Sequence, residues 1–409
     1  MSKILITFIG TGSLNTKNEH QREYRKAKYL IENQEYETSF VADALFRHYK
    51  LDTVYFIGTA KSMWEEVYSK FSGEEQNEDL YFRLAEIVEK SNKDTLIDEP
   101  KLLSAIRLLE ESLPQKSKIF LIRYGLNKEE LWQNFEVFNE VFEKIPENAE
   151  VYLDITHSFR SLPIFALVSI FYLQSVKEKK ITLKGIFYGM LDIISETNGR
   201  AHVINLEPIA TMIEWIKAAQ SFKDYGMGDN IIPLLESEHI RKRIQEFSNF
   251  LQLNYIGEIA TQVSQLNSIK SQLDGLTIPA QLTLMPIIER FTKIFQGKEK
   301  IWQKQLALAE WHAENKHYGL AYIDLVEAIV SYVCEREKLK IDILDERDKA
   351  KDKIRADSKY EVISKIYKKA SKIRNKIAHA VPDKQADKLK DIEALKKYIK
   401  EFKEFVKNA

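Results

Sequence analysis

The stretch Val151–Leu173, VYLDITHSFRSLPIFALVSIFYL, reads as a strand, a tight polar loop and a helix. Val151–Ile155 is short, apolar and β-branched, the composition of a strand buried on both faces. Thr156–Ser161 gathers hydroxyls, an imidazole, an aromatic ring and a guanidinium into one short loop. Pro163 suits the first turn of a helix, where its missing N–H costs nothing. Ile164–Leu173 is almost wholly apolar, which predicts a buried helix. A polar loop between the carboxyl end of a central strand and a helix N-terminus is where open α/β sheets bind ligands. The helix end also favours an anion.

Outward from this stretch, strands alternate with helices. Lys3–Gly10 (KILITFIG), Thr53–Gly58 (TVYFIG), Lys118–Tyr124 (KIFLIRY), Thr182–Met190 and Ala201–Asn205 read as strands, and Tyr24–Phe40 as a short hairpin. Val41–Tyr49, Lys61–Lys70, Asp79–Lys90, Glu99–Ser112 and Glu129–Lys144 read as helices between them. This alternation predicts a parallel, Rossmann-like α/β sheet. The first strand runs into Gly10-Thr11-Gly12-Ser13, where glycines let the backbone turn sharply and bring N–H groups toward a phosphate or a base. The third glycine of a dinucleotide fingerprint is missing, so a plain strand-end turn is an equal reading. The Gly10, Gly125 and Thr156 loops are expected at one edge of the sheet.

Composition sets the bounds. A chain of 409 residues holds two or three domains, and 44% hydrophobic residues suffice for large cores. Net charge is zero, so any nucleic-acid contact must come from a local basic patch. A lone cysteine, Cys334, excludes a disulfide framework and fits a reducing cytosol. The N-terminus has no signal-peptide pattern, and the longest apolar run falls short of a membrane span. A soluble cytoplasmic protein is expected.

After Pro208 no strand is evident. Ile209–Phe222, Ile231–Leu251, Tyr255–Leu273, Leu282–Phe295, Lys300–Glu314 and Tyr318–Cys334 read as helices, which puts a domain boundary near Glu207. The helix Tyr360–Ala380, YEVISKIYKKASKIRNKIAHA, is the second informative stretch. Ile363, Ile366, Ala370, Ile373 and Ile377 give it one apolar stripe. From Arg355 to His379 there are eight Lys or Arg against two Asp or Glu, most of them readable as a solvated basic face. Arg374 differs: it borders the stripe, next to Asn375 and five residues before His379. That spacing sets the two side chains about 140° apart on an ideal helix. Either the last turn distorts, or the same helix of a second subunit completes the site.

Arg374 can hold a phosphate bidentately and stabilise a phosphorane. His379 can move protons near neutral pH, and Asn375 can orient a phosphate or hydroxyl. RNA carries its own nucleophile, the 2′-OH, so a base, an acid and an anion clamp suffice to cleave it without metal. No carboxylate or Cys/His cluster has metal-ligand spacing. His312 and His317, five apart, read as structural or exposed.

DITHSFRSLP, Asp154–Pro163, resembles the Asp-x-Thr-His-Gly-Phe-Arg signature of a CRISPR-associated family that joins a CARF (CRISPR-associated Rossmann fold) sensor to a helical HEPN domain. Arg374-Asn375-Lys376-Ile377-Ala378-His379 resembles the HEPN signature Arg-x4-His, near the C-terminus where that family carries it. The Gly10-Thr11-Gly12 strand end and Leu308–Ile329 are also similar to that family. The resemblance implies a CARF ligand-sensing domain over 1–207 and a helical connector with a HEPN ribonuclease domain over 208–409. It implies a type III ancillary endoribonuclease: a homodimer that binds cyclic oligoadenylate across its CARF pair, and then cuts single-stranded RNA without metal at a composite HEPN site. Gly10, Thr11, Gly12, Ser13, Thr156, His157, Ser158 and Arg160 would line the activator pocket, and Arg374 and His379 would be catalytic with Asn375 assisting. Family frequency favours four adenylates over six. Ser158 stands where the signature has glycine; if positive φ is needed there, serine is strained. Two other classes compete: a sensor whose helical domain only binds a partner or nucleic acid, and a Rossmann oxidoreductase, which the incomplete glycine fingerprint disfavours.

Overall fold

The computed structural model describes residues 2–14, 22–73, 77–114, 116–157, 161–379 and 388–408. Contacts divide the chain into two compact units, Met1–Ala210 and Thr211–Ala409.

The first unit is built on ten strands: β1 (Lys3–Ile9), β2 (Ser13–Leu14), β3 (Arg22–Glu23), β4 (Ala27–Ile31), β5 (Gln34–Thr38), β6 (Thr53–Gly58), β7 (Lys118–Leu121), β8 (Glu150–Asp154), β9 (Thr182–Gly189) and β10 (Arg200–Asn205). Eight form one sheet in the order β5-β4-β10-β9-β8-β1-β6-β7, while β2 and β3 make a separate ribbon. The five strands from β9 to β7 are all parallel. The sheet is not parallel throughout: β10 runs antiparallel to β9, and β5 antiparallel to β4. The expected Tyr24–Phe40 hairpin is the β4–β5 pair. It extends the sheet because β4 pairs in parallel with β10.

Alternation along β1 sorts the core into two layers. Leu5 and Ile9 face α1 (Val41–Tyr49), α2 (Trp64–Phe71), α3 (Glu78–Lys90) and α4 (Pro100–Ser112). Ile4, Ile6 and Phe8 face α5 (Lys128–Glu143) and α6 (Leu162–Ser175). After β1 the chain crosses to the far edge of the sheet for β4 and β5, comes back to lay β6 and β7 on one side of β1, and then lays β8 on its other side. The crevice at the carboxyl ends of β1 and β8 is therefore the topological switch point of a doubly wound sheet.

The expected burial of α6 holds for one face only. Leu162, Ala166, Ile170 and Leu173 are core, but Ile164 is 65% and Val168 52% exposed. An all-apolar sequence carries no periodicity to tell the two faces apart.

The second unit is helical, with no strand among its described residues. After α7 (Glu207–Tyr225) come α8 (Glu238–Leu253), α9 (Ile259–Ser268), α10 (Ile278–Phe295), α11 (Ile301–Glu314), α12 (Tyr318–Arg336), α13 (Leu344–Ala356), α14 (Glu361–Ala378) and α15 (Lys388–Asn408). The expected helix from Ile231 starts later: Ile232–Leu234 is a single 3-10 turn, and the Ser237 side chain caps α8. One cluster joins α7–α10 to Ala307, Leu308 and Trp311 of α11; another joins Trp302, Leu306 and Ala309 of the same helix to α12–α15. Among the described residues no helix is long and apolar enough to cross a membrane. Cys334 is free and buried.

Candidate functional sites

Three loops of the first unit leave neighbouring parallel strands, β8, β1 and β6, on one side of the switch point. Asp154 ends β8, wholly buried, beside Thr7 of β1. Its carboxylate accepts a 2.6 Å hydrogen bond from Thr7 Oγ1 and a 2.9 Å bond from the Thr156 N–H. Burial pushes the Asp154 carboxyl up, while these hydrogen bonds pull it down. The Thr156 hydroxyl in turn accepts from the Gly189 N–H of β9, 2.9 Å away. The polar start of the loop is thus pinned to three strands.

Gly10 makes the second loop possible. A Cβ there would stand 2.7 Å from the His157 carbonyl oxygen, so only glycine lets the two loops pack this closely. Its N–H donates to the Tyr24 hydroxyl at 2.8 Å, and that hydroxyl donates back to the Gly10 carbonyl at 3.1 Å. Gly12 takes φ +66°, a left-handed turn that favours glycine. The third loop is tied on by the Met63 N–H, which donates to the Gly10 carbonyl at 3.1 Å.

His157 stacks on Tyr24, ring centroids 4.4 Å apart, with Phe40 tilted at 5.6 Å. Its Nε2 is buried with no hydrogen-bond partner among the described residues. Burial pushes the imidazole down to about 4, so it is neutral at pH 7. Burial also holds the Tyr24 phenol well above its ordinary range; the Gly10 bond opposes this, and the carboxylates of Glu65, Glu66 and Asp154 add to it.

The expected pocket residues Gly10, Thr11, Gly12, Thr156 and His157 are brought together here. Ser13 is described by its backbone alone, which pairs with Glu23. Ser158 and Arg160 lie outside the described residues. The Gly125 loop shares the sheet edge but closes on itself: Glu130 accepts from the Gly125 and Leu126 N–H groups, and Asn127 caps α5. Sequence reasoning missed Tyr24 and Glu65. Nothing in their local sequence marks them, because the β1–β6 connection and the burial of the first turn of α2 bring them in.

In the second unit, α14 buries Ile363, Ile366, Tyr367 and Ala370, and Arg374, Asn375 and His379 follow at its carboxyl end. Arg374 is half-buried, with its Nε buried and unpartnered among the described residues, whereas Asn375 and His379 are exposed. The His379 N–H donates to the Asn375 carbonyl at 2.9 Å, an ordinary helical bond. The last turn is therefore undistorted, and Arg374 and His379 keep their angular separation. His312, expected to be structural or exposed, is buried: its Nδ1 lies 3.0 Å from Asp324 Oδ2, and Asn254 donates to the other Asp324 oxygen at 3.0 Å. Among the described residues no group of three His, Cys, Asp or Glu is placed to hold a metal ion.

A doubly wound domain with a polar switch-point cleft, followed by helices, has recognisable relatives. Residues 4–192 match the family model "CRISPR system endoribonuclease Csx1, CARF domain", and residues 211–299 match "CRISPR-associated protein MJ1674, second domain". The first unit is thus similar to the CARF domain of Csx1, and the start of the helical unit to the second domain of MJ1674. It is similar to the CRISPR-associated protein MJ1674 of Methanocaldococcus jannaschii, with 33% identity over 408 residues. That match covers 95% of this chain, which spans 63% of the relative's length. Among solved structures it resembles Enterococcus italicus Csm6 bound to cyclic hexa-2′-fluoro-hexa-dAMP, with a TM-score of 0.38 and 14% identity over 98% of this chain and 92% of that one.

Proposed function

We propose that this protein is a type III CRISPR ancillary endoribonuclease, switched on by cyclic oligoadenylate and acting as a homodimer. The observation that carries the reading is the joint presence, in one chain, of a CARF switch-point cleft and a helix end that presents Arg374, Asn375 and His379.

The activator would sit over the Gly10 and Thr156 loops. Its phosphates would meet loop N–H groups and the N-terminus of α6, which no side chain caps among the described residues. A ring with an even number of adenylates has two-fold symmetry, and a C2 dimer offers the same loops twice. The exposed Ile164 and Val168 of α6 and Ile377 of α14 give a second copy apolar surface to cover.

At the α14 end, Arg374 would hold the non-bridging oxygens of a phosphodiester and stabilise the phosphorane. The neighbouring 2′-OH attacks phosphorus. One His379 accepts its proton and the His379 of a second copy gives a proton to the leaving 5′-oxygen, which yields a 2′,3′-cyclic phosphate and a 5′-hydroxyl. The undistorted last turn favours this composite arrangement over one built in a single chain. The activator acts by favouring the dimer arrangement in which both helix ends are placed for reaction.

The deciding experiment is cleavage of a fluorescent single-stranded RNA in EDTA, with and without cyclic tetra- or hexa-adenylate. Ligand-dependent cutting is expected. Silence with both ligands overturns the nuclease reading in favour of a sensor that binds a partner; cutting without ligand removes the gating role of the cleft.

A further inference from the structure

Glu65 is a buried ionisable group of the first unit that the proposed function leaves unused. It sits in the first turn of α2, directly after the loop that leaves β6, the strand beside β1. It is 9% exposed, and its Oε2 is buried with no hydrogen-bond partner among the described residues. The loop that carries it is fastened to Gly10 through the Met63 N–H. Its charge is felt by the Tyr24 phenol, which is hydrogen-bonded to Gly10 and stacked on His157. Glu65 therefore lies beside the switch-point cleft, with an oxygen that nothing among the described residues satisfies. An unsatisfied buried polar atom is costly, so its retention calls for a partner.

A carboxyl repels phosphate, so an anionic ligand must turn a neutral, hydrogen-bonding edge toward it. Resting on the cyclic oligoadenylate reading, we propose that Glu65 is the base-reading residue of this cleft, its protonated carboxyl pairing with the N1/N6 edge of an adenine. A carboxylic acid sets a donor beside an acceptor, which matches the adenine N1 acceptor and N6 amino donor; a carboxylate only accepts. Burial pushes Glu65 up to about 7, and the neighbouring carboxylate of Glu66 adds to this, so the protonated form is accessible near neutral pH. Among the described residues, the other titratable groups near it do not change charge in that window. Tyr24 and Tyr81 of α3 are held above their ordinary range, and His157 is neutral down to about 4.

The test is binding of cyclic tetra- and hexa-adenylate by calorimetry at pH 6 and pH 8, with wild type, Glu65→Gln and Glu65→Ala. Wild type is expected to bind about tenfold more weakly at pH 8, as the carboxyl ionises. Glu65→Gln keeps a donor and an acceptor, so its affinity at pH 6 stays within about threefold of wild type and does not change with pH. Glu65→Ala binds at least about 30-fold more weakly at pH 6. Thermal unfolding of both variants checks that the fold is kept. Wild-type binding that ignores pH, or Glu65→Ala binding like wild type, overturns this assignment and leaves the activator reading standing. No binding of either ring to wild type at either pH overturns both.

Discussion

The cleft at the ends of β1 and β8 and the carboxyl end of α14 differ in how much of each is finished within one chain. In the cleft, Asp154, Thr156, Gly10 and Tyr24 are fixed by mutual hydrogen bonds, and His157 is held by stacking. At the end of α14 the chemistry-bearing groups are less fixed: Asn375 and His379 are exposed, and the half-buried Arg374 has an Nε with no hydrogen-bond partner among the described residues. A recognition site gains from rigidity prepared in advance, because ordering costs are then not charged to the ligand. A regulated cleavage site gains from being incomplete until a second copy arrives in register. On the proposed function, recognition would be ready in advance and cleavage would wait for the second copy.

The sharpest way to break the comparison is to remove the chemistry and leave the recognition. Arg374→Ala and His379→Ala are each expected to lower activator-dependent RNA cleavage about 10³-fold, read as initial rates on a labelled RNA. Binding of cyclic tetra-adenylate should stay within twofold of wild type. Cleavage that survives either substitution would move the active site off α14.

The next effect concerns the cleft alone. His157 is depressed to about 4 in the folded protein and returns to about 6.5 when unfolded. Its neutral form therefore suits the fold above pH 6.5, and stability is lost as pH falls from there through 4, because only the unfolded chain takes the proton. The loss attributable to His157 reaches about 3 kcal/mol near pH 4. Urea unfolding at pH 7 and pH 4.5 is expected to show the gap between wild type and His157→Asn narrowing as the pH falls. A constant gap means that the ring is solvated rather than stacked under Tyr24.

Gly10→Ala tests whether the close approach of the loops matters. The added Cβ meets the His157 carbonyl, and the strain costs about 1–3 kcal/mol. Part of it should appear as weaker cyclic oligoadenylate binding, with the sheet core intact by circular dichroism. Unchanged affinity would place the activator elsewhere on the sheet edge.

Parts of this contrast were legible in the residues themselves. KILITFIG and TVYFIG are apolar enough to be central strands and nothing else, and the polar loop after Leu153 announces a strand end. The direction of β10 was not legible, because a short connection after β9 permits a return and the Thr182–Asn205 pattern does not state it. Helix α13 went unseen because LDERDKAKDKIRA is mostly charged and buries only Ala350 and Ile354. Local sequence also hides which polar residues end up dry. Glu65 and Glu66 stand side by side, yet Glu65 is buried and Glu66 instead accepts a hydrogen bond from Ser39.

The smallest expected effect decides whether the exposed face of α14 belongs to the cutting site or merely keeps it soluble. Lys368, Lys369 and Lys372 are exposed, and none forms an ion pair with a described residue, whereas Lys365 is paired with Glu361. They lie on the stretch of helix that leads to His379, about 16 Å from Lys368 at 1.5 Å per residue. A single-stranded RNA crossing that face would release counterions, contributing about 0.7 to the slope of log affinity against log salt for each phosphate neutralised. Replacing all three by Gln is therefore expected to lower that slope by about 2, and each alone to weaken RNA binding only a few-fold. The reading is fluorescence anisotropy of a labelled RNA from 50 to 200 mM salt on the His379→Ala background, so that cleavage does not interfere. Activator affinity should not move, since these lysines belong to the second unit and the cleft to the first. An unchanged slope would make the stripe a solvated basic face and leave Arg374 as the group on α14 that grips the phosphate.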